Sequence, residues 1–408
     1  MIKKILFLSL GNFSGPLISF LTLPLITRLF KPEDLGEAHW IVSIAMVASI
    51  VFGFQIYNGI LSEESKTKAV DKFYLNLIIL LLSAFVFFII GLLLVYGEAL
   101  AMLEVFGGGI LGFLSALNLL VSTLYARLDL VGVIAKSAAI RTFSIVGFSI
   151  LFGGWLGGDV LWLVIAYVIG EVVVALYYYN MRRRVLWTVF IEKNKIITVL
   201  MEDIRFAIYY LPSQLISNGV NAALMYFIKA HSIAMLGVYS VLFRLVSVPI
   251  YSIGSAVKSV FIINFKNYKG RKWWLLVSIV MVLSIFNFGM FIFFISIESY
   301  GLLSSVLGDK WSGVDKYLSY FFIWIATSFV NVFPLEILKH NSKQNIVLLN
   351  ELMVAFLKLI VIYIVFEVYD MVDVLMIVPI MFSIINVFML GVYMFFCYPI
   401  VVFGKVND

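Results

Sequence analysis

Phe73 to Val95 reads FYLNLIILLLSAFVFFIIGLLLV, with Asp71 and Lys72 just before it and Glu98 the next charge after it. An α-helix rises about 1.5 Å per residue and the hydrocarbon of a bilayer is roughly 30 Å thick, so about 20 apolar residues cross it. The stretch is long enough to span a membrane.

Outward from this stretch the pattern repeats along the chain. Charged clusters set off apolar segments of spanning length near residues 5–27, 38–60, 106–126, 137–157 and 160–180. After a basic stretch come six more, near 205–228, 234–257, 273–297, 317–338, 346–366 and 374–398. Val131 to Lys136 and Ile191 to Asp203 read either as loops or as helices lying in the interface. The composition agrees: 63% of the 408 residues are hydrophobic and 13% charged, with a mean hydropathy of +1.08. Soluble domains run at roughly 45–50% apolar and about 25% charged, so this is an integral membrane protein. Twelve spans use roughly 240 residues and leave short connections, with no separate catalytic domain. Cys397 is the only cysteine, which excludes an internal disulfide. Lys3 and Lys4 resemble the start of a signal peptide, but the apolar run continues to Ile26 with no small-residue cleavage site. It is therefore expected to be a retained first helix.

Orientation follows from lysine and arginine, which short cytoplasmic loops retain. With the N-terminus inside, Lys3, Lys4, Lys66, Lys68, Lys72, Arg127, Lys136, Arg141, Arg182 to Arg184 and most later basic residues face the cytoplasm. Only Arg28, Lys31, Lys229, Lys310 and Lys316 fall outside, while Arg244 and Lys358 fall within predicted helices. Both termini are then cytoplasmic, and the net charge of +6 reflects topology, with no nucleic-acid partner.

A shift of 201 residues places Leu35-Gly36 on Leu236-Gly237 and Arg28 on Lys229, each at the start of the second helix of its half. The first helix of each half is also interrupted, by Gly11, Gly15, Pro16 and Pro24 in one and by Pro212 and Gly219 in the other. Six helices per half give the halves the same orientation, as in parallel repeats about an axis along the membrane normal. Paired interruptions of this kind point to bent helices around a central site. The expected division is an N-terminal lobe of residues 1–181, a cytoplasmic connector of 182–204 and a C-terminal lobe of 205–408.

Several function classes are disfavoured. No Gly-rich phosphate loop ends in Gly-Lys-Ser or Gly-Lys-Thr, so the chain is not expected to hydrolyse nucleotide. His39, His231 and His340 are scattered and lack metal-ligand spacing; each reads as an interfacial residue. No Asp-x-Asp pair occurs, which argues against a glycosyltransferase, and neither an enzyme nor a cofactor is expected.

Residues Leu23 to Gly36, LPLITRLFKPEDLG, following Asn12 and Gly15, resemble the opening of the Wzx-type polysaccharide flippases. These belong to the multidrug/oligosaccharidyl-lipid/polysaccharide (MOP) exporter superfamily. Met235 to Leu245, MLGVYSVLFRL, is similar to the start of that family's eighth helix, and Leu302 to Trp311, LLSSVLGDKW, to its outer loop before helix ten. One departure is Phe227-Ile228-Lys229, where relatives often carry an Asp-Arg pair. The resemblance implies an all-α, polytopic, V-shaped and MATE-like transporter of two six-helix lobes with a central cavity opening alternately to each side. It implies residence in the bacterial cytoplasmic (inner) membrane and, as cargo, an undecaprenyl-pyrophosphate-linked oligosaccharide unit for O-antigen or a related surface polysaccharide. Membrane lipids, a polysaccharide polymerase and a chain-length regulator are the partners in view. The alternative is a cation-coupled multidrug or small-molecule antiporter of the same superfamily.

Polar residues at membrane depth are costly and by default functional. Arg244 lies ten residues into predicted helix eight, about 15 Å deep. It is a candidate for the pyrophosphate, together with Arg28 and Lys229 as a ladder of charge; the alternative is a buried ion pair with an acid such as Glu171. Lys358 sits similarly deep in helix eleven, two turns after Glu351, and reads equally as a substrate cation or a structural partner of that acid. Glu171 and Glu351 are the candidates for ion coupling, with hydrogen bonding inside a lobe as the other reading. Gln214, Asn218 and Asn221 form one polar stripe in helix seven, and Asn12, Ser19 and Thr22 another in helix one. Amides and hydroxyls on one face suit sugar hydroxyls, as they also suit helix-to-helix contacts.

Overall fold

The computed structural model describes residues 2–63, 65–94, 102–181, 196–248, 250, 272–298, 300–340 and 344–403. Helices α1 (Ile2–Leu29), α2 (Pro32–Gly53), the short α3 (Asn58–Ser62), α4 (Lys66–Leu94), α5 (Gly108–Arg127), α6 (Val131–Trp155) and α7 (Val160–Met181) make up the first half. A π-helical turn, Leu103–Gly107, leads into α5. The second half holds α8 (Ile196–His231), α9 (Ile233–Val248), α10 (Lys272–Glu298), α11 (Leu302–Leu307), α12 (Leu318–Val330), α13 (Val332–His340), α14 (Gln344–Val368) and α15 (Met371–Phe403). Among the described residues there is no strand, and nine helical stretches are long and apolar enough to cross a membrane. Leu17–Leu29 and Ile233–Val248 are shorter apolar helices. Phe73 to Leu94 of the run quoted first lie in α4, whose outer face bears Leu81, Leu82, Phe85 and Ile89 exposed.

The predicted boundaries hold to a few residues at most places, but α4 begins at Lys66, ahead of the expected 73, and α8 at Ile196, ahead of the expected 205, so that Ile196 to Asp203, read as connector and as loop or interfacial helix, is the first part of α8. Residues 182–195, 249 and 251–257 of the expected connector and eighth span lie outside the described residues. The segment expected over 38–60 begins at Pro32, because proline's fixed φ suits a first helical position that needs no N–H donor. Asp34 there accepts a hydrogen bond from the Lys31 N–H at 3.3 Å. The helix stops at Gly53, where Phe54 and Gln55 turn left-handed (φ 44° and 58°), a break that apolar content does not disclose. Val131 to Lys136, read as loop or interfacial helix, is the first part of the continuous helix α6. Arg141, counted with the cytoplasmic loop, therefore lies well inside a helix.

Packing follows exposure. In the first half α1 lies along α6, α2 along α5, and α7 beside α6; in the second, α12 is flanked by α10 and α15, and α14 by α8 and α15. Only 6% of the apolar window of α10 is buried against 67% for Asp309–Leu338, so α10 is a lipid-facing wall and α12 a central post. Trp324 and Phe321 meet each other edge-on there, and Tyr239 of α9 packs against both, edge-on to Phe321 and tilted to Trp324. The two halves touch where α2 meets α8 and α9 and where α1 meets α11.

Candidate translocation site

The halves meet backbone to backbone at Gly36 of α2 and Gly237 of α9. A Cβ on Gly36 would lie 2.8 Å from the Gly237 nitrogen and would also strike the Ile233 carbonyl; a Cβ on Gly237 would lie 2.9 Å from the Pro32 Cα. Neither main chain can move aside as a side chain does, so only glycine fits.

Two sets of polar contacts flank this point. At the end of α1, Thr27 Oγ1 donates to the Leu307 carbonyl (3.0 Å) and Trp311 Nε1 donates to the Thr27 carbonyl (2.8 Å). Arg28 donates to the Val306 carbonyl (3.5 Å), and Lys310 Nζ to the Arg28 carbonyl (3.4 Å). At the end of α8, Lys229 Nζ bridges Glu37 (2.9 Å) and Glu104 (2.6 Å), both in the first half. Trp40 Nε1 holds the second Glu104 oxygen at 2.7 Å, and the ammonium lies 5.5 Å from the Trp40 ring centre. Arg28 and Lys229 thus serve as latches between the halves, and Lys229 is matched by two carboxylates.

Arg244 lies deeper along α9. Its guanidinium donates to the Tyr167 hydroxyl on α7 at 2.6 Å, so it too bridges the halves. Around it a cavity of about 350 Å³ is lined by hydroxyls from Ser19, Thr22, Thr142, Ser149 and Tyr167. Glu171, one turn beyond Tyr167, does not pair with Arg244: it is bound by Arg141, by Ser115 Oγ (2.9 Å) and by Asn118 Nδ2 (2.7 Å). Its carboxylate is 5% exposed and neutralised inside the first half.

A second cavity, of about 260 Å³, lies within the second half. Lys358 reaches into it with its ammonium 4.9 Å from the Phe382 ring centre, and Asn221, Asn331, Asn386, Ser328 and Tyr393 line the remainder. Glu351, two turns away, accepts a hydrogen bond from Ser213 Oγ of α8. The predicted stripe on α8 is divided: Asn221 faces this cavity, whereas Asn218 Nδ2 caps the Gln214 carbonyl at 2.9 Å and Gln214 is exposed. Asn12 falls in α1 with its side chain outside the described residues.

Sequence reasoning missed Tyr167, Arg141, Glu104 and His39. The first three carry one signal, a polar group at membrane depth, that position along a helix makes visible once boundaries are known. His39 reads from sequence as interfacial, yet both its ring nitrogens are buried and without a hydrogen-bond partner. Among the described residues no cluster of acids, histidines and cysteines could hold a metal ion.

The architecture is that of the MOP-superfamily transporters. A MOP superfamily transporter from Pyrococcus furiosus, noted for a binding pocket of reverse polarity, matches with a TM-score of 0.62 at 16% identity, over 99% of this chain and 97% of its own. The MATE multidrug transporter DinF-BH matches at 0.59 and 17% identity, over 99% and 97%. The MATE transporter ClbM in complex with Rb+ matches at 0.60 and 12% identity, over 100% and 95%. At such identities these likenesses concern the fold. No curated protein sequence matches the chain. The model of the family described as polysaccharide biosynthesis protein matches residues 1–262; the chain belongs to that family, and the resemblance read from LPLITRLFKPEDLG is borne out at that level.

Proposed function

We propose that this transporter is a flippase that moves an undecaprenyl-pyrophosphate-linked oligosaccharide unit from the cytoplasmic to the outer leaflet of a bacterial inner membrane. Twelve spans with both termini inside, and lobes of residues 1–181 and 205–408 rocking about a central cavity, are the frame of this reading. The observation that carries it is Arg244 among Ser19, Thr22, Thr142, Ser149 and Tyr167 in a cavity shared by both halves. A guanidinium supplies planar donors for phosphate oxygens, and hydroxyls both donate to and accept from sugars. Moving a glycan and a charged pyrophosphate through hydrocarbon unaided is prohibitive; a lined cavity removes that barrier.

Membership in a polysaccharide biosynthesis family supports the glycan cargo over the hydrophobic cations of the multidrug reading, as does a basic group at the centre. Deleting the gene should leave undecaprenyl-linked units on the cytoplasmic leaflet and abolish the surface glycan made from them, with drug resistance unchanged. Altered resistance to hydrophobic cations with normal glycan would replace this reading by the antiporter. Cysteines at Gly97 and Glu367 in a Cys397→Ser background should react with an impermeant reagent from outside, and one at Lys68 should not; the opposite pattern would reverse the orientation.

A further inference from the structure

Glu37 and Glu104 are carried by neighbouring elements of the same half. Glu37 lies on α2 and Glu104 in the π-helical turn packed against it, and such turns are rare and frequent at functional sites. The two carboxyl groups are in hydrogen-bonding contact with each other. Lys229, the cation between them, comes from the other half, at 2.9 and 2.6 Å. The side chains of Glu37, Glu104 and Lys229 are 12%, 24% and 17% exposed, so water reaches the group.

When the halves part, Lys229 leaves with α8 while both carboxylates stay side by side. Two carboxylates in contact and without a cation cannot both remain ionised, so one takes up a proton. The supply of donors decides which. Glu104 keeps the Trp40 N–H on its second oxygen, whereas Glu37 loses the ammonium that donates to it. The proton therefore goes to Glu37, which then donates to Glu104. On closing, an ammonium arriving between the two stabilises both ionised forms and drives the proton off.

The other charged groups on the surrounding elements are engaged elsewhere or exposed. On α2, Glu33 is exposed, Asp34 accepts from the Lys31 N–H, and His39, two residues past Glu37, lies on another side of the helix. On α8, His231 is exposed with Nδ1 against the Phe227 carbonyl; on α14, which packs on α8, Glu367 is exposed. Asp159, just before α7, is exposed, Glu171 of α7 is held by Arg141, and Arg244 of α9 is bonded to Tyr167. Helices α4 and α5 carry no charged residue at this end.

We propose that Glu37 and Glu104 form a proton-binding site of the first half for which the Lys229 ammonium of the second half competes. Parting the halves at this joint takes up one proton from the adjoining water, and rejoining them returns it. Linkage of this kind is reciprocal, so acid favours the parted arrangement, whatever the cargo.

Trp155, at the end of α6, and Tyr300, just before α11, lie at this end of opposite halves and are 83% and 77% exposed. Spin labels on Trp155→Cys and Tyr300→Cys, in full-length Cys397→Ser protein in lipid nanodiscs, report the gap as a distance distribution. Lowering the pH from about 8 to about 5 should raise the long-distance population severalfold. With Glu37→Gln and Glu104→Gln together, the distribution should not change with pH. An unchanging distribution in the parent, or a response that persists in the double variant, would overturn the proposal and leave the flippase reading standing. Should the double variant fail to fold, infrared spectra of Lys229→Met decide. At about pH 7 they should show a protonated-carboxyl band that the parent lacks and that adding Glu37→Gln removes; without that band the proposal fails equally.

Discussion

Gly36 and Gly237 stand 201 positions apart in the chain and in main-chain contact in the fold. The two residues that the faint repeat pairs are thus the two that touch. The same shift relates the flanking latches. Arg28 reaches Val306 and its repeat mate Lys229 reaches Glu104, whose own mate, Ser305, is the neighbour of Val306. The placements agree while the chemistry differs: one latch uses main-chain carbonyls, the other two carboxylates.

Gly237→Val puts a branched side chain against the Pro32 main chain, and overpacking of this kind costs about 1–3 kcal/mol. The arrangement joined at this end should lose population to one in which the halves are parted. Bis-maleimide cross-linking of Arg28→Cys with Lys310→Cys, in a Cys397→Ser background, should drop severalfold. Undiminished cross-linking would show that the contact tolerates a Cβ.

Lys229→Glu should weaken the same joint by setting three carboxylates together. Adding Glu104→Lys restores one pair of opposite sign, so the double variant should cross-link better than Lys229→Glu alone. Additive losses in the double-mutant cycle would mean that the ion pair contributes nothing to closure.

Membrane class is legible because spans are long and their apolar content uninterrupted, as in Phe73 to Val95. The repeat is legible because Leu-Gly recurs where two backbones touch. Lys229 stands out in the sequence as an unusual cation, yet there it reads as a rung for substrate. Its partners Glu37 and Glu104 are 192 and 125 positions away, and no local pattern connects them. Arg141 is hidden by a boundary error, since a loop arginine needs no partner and a helical one does. His39 is hidden by frequency: most lone histidines near a membrane surface are ordinary, and burial of both nitrogens is a property of tertiary packing.

Arg244→Gln should strongly reduce glycan export with protein level and membrane insertion unchanged, and Arg244→Lys should keep part of it, since charge remains and the fork is lost. Tyr167→Phe should have a smaller effect, removing one hydroxyl from the lining. Adding Glu171→Gln to Arg244→Gln should not rescue export, because Glu171 belongs to Arg141. Rescue would falsify the assignment of Arg244 to substrate.

Arg141→Gln should destabilise the protein by roughly 3 kcal/mol, since it strands the buried Glu171 carboxylate, and Glu171→Gln should cost less, since the Arg141 side chain is 43% exposed. The double variant should recover much of the loss, read as Tm in detergent. If the single variants are as stable as the parent, the pair is dispensable and the first half is held by apolar packing alone.

The ammonium over Phe382 is tied to the polypeptide through Lys358. A charge fixed to the chain cannot be picked up on one side of a membrane and set down on the other; only its proton can. The second-half cavity therefore carries its own resident cation, and an alkali-metal ion entering at that position meets its repulsion.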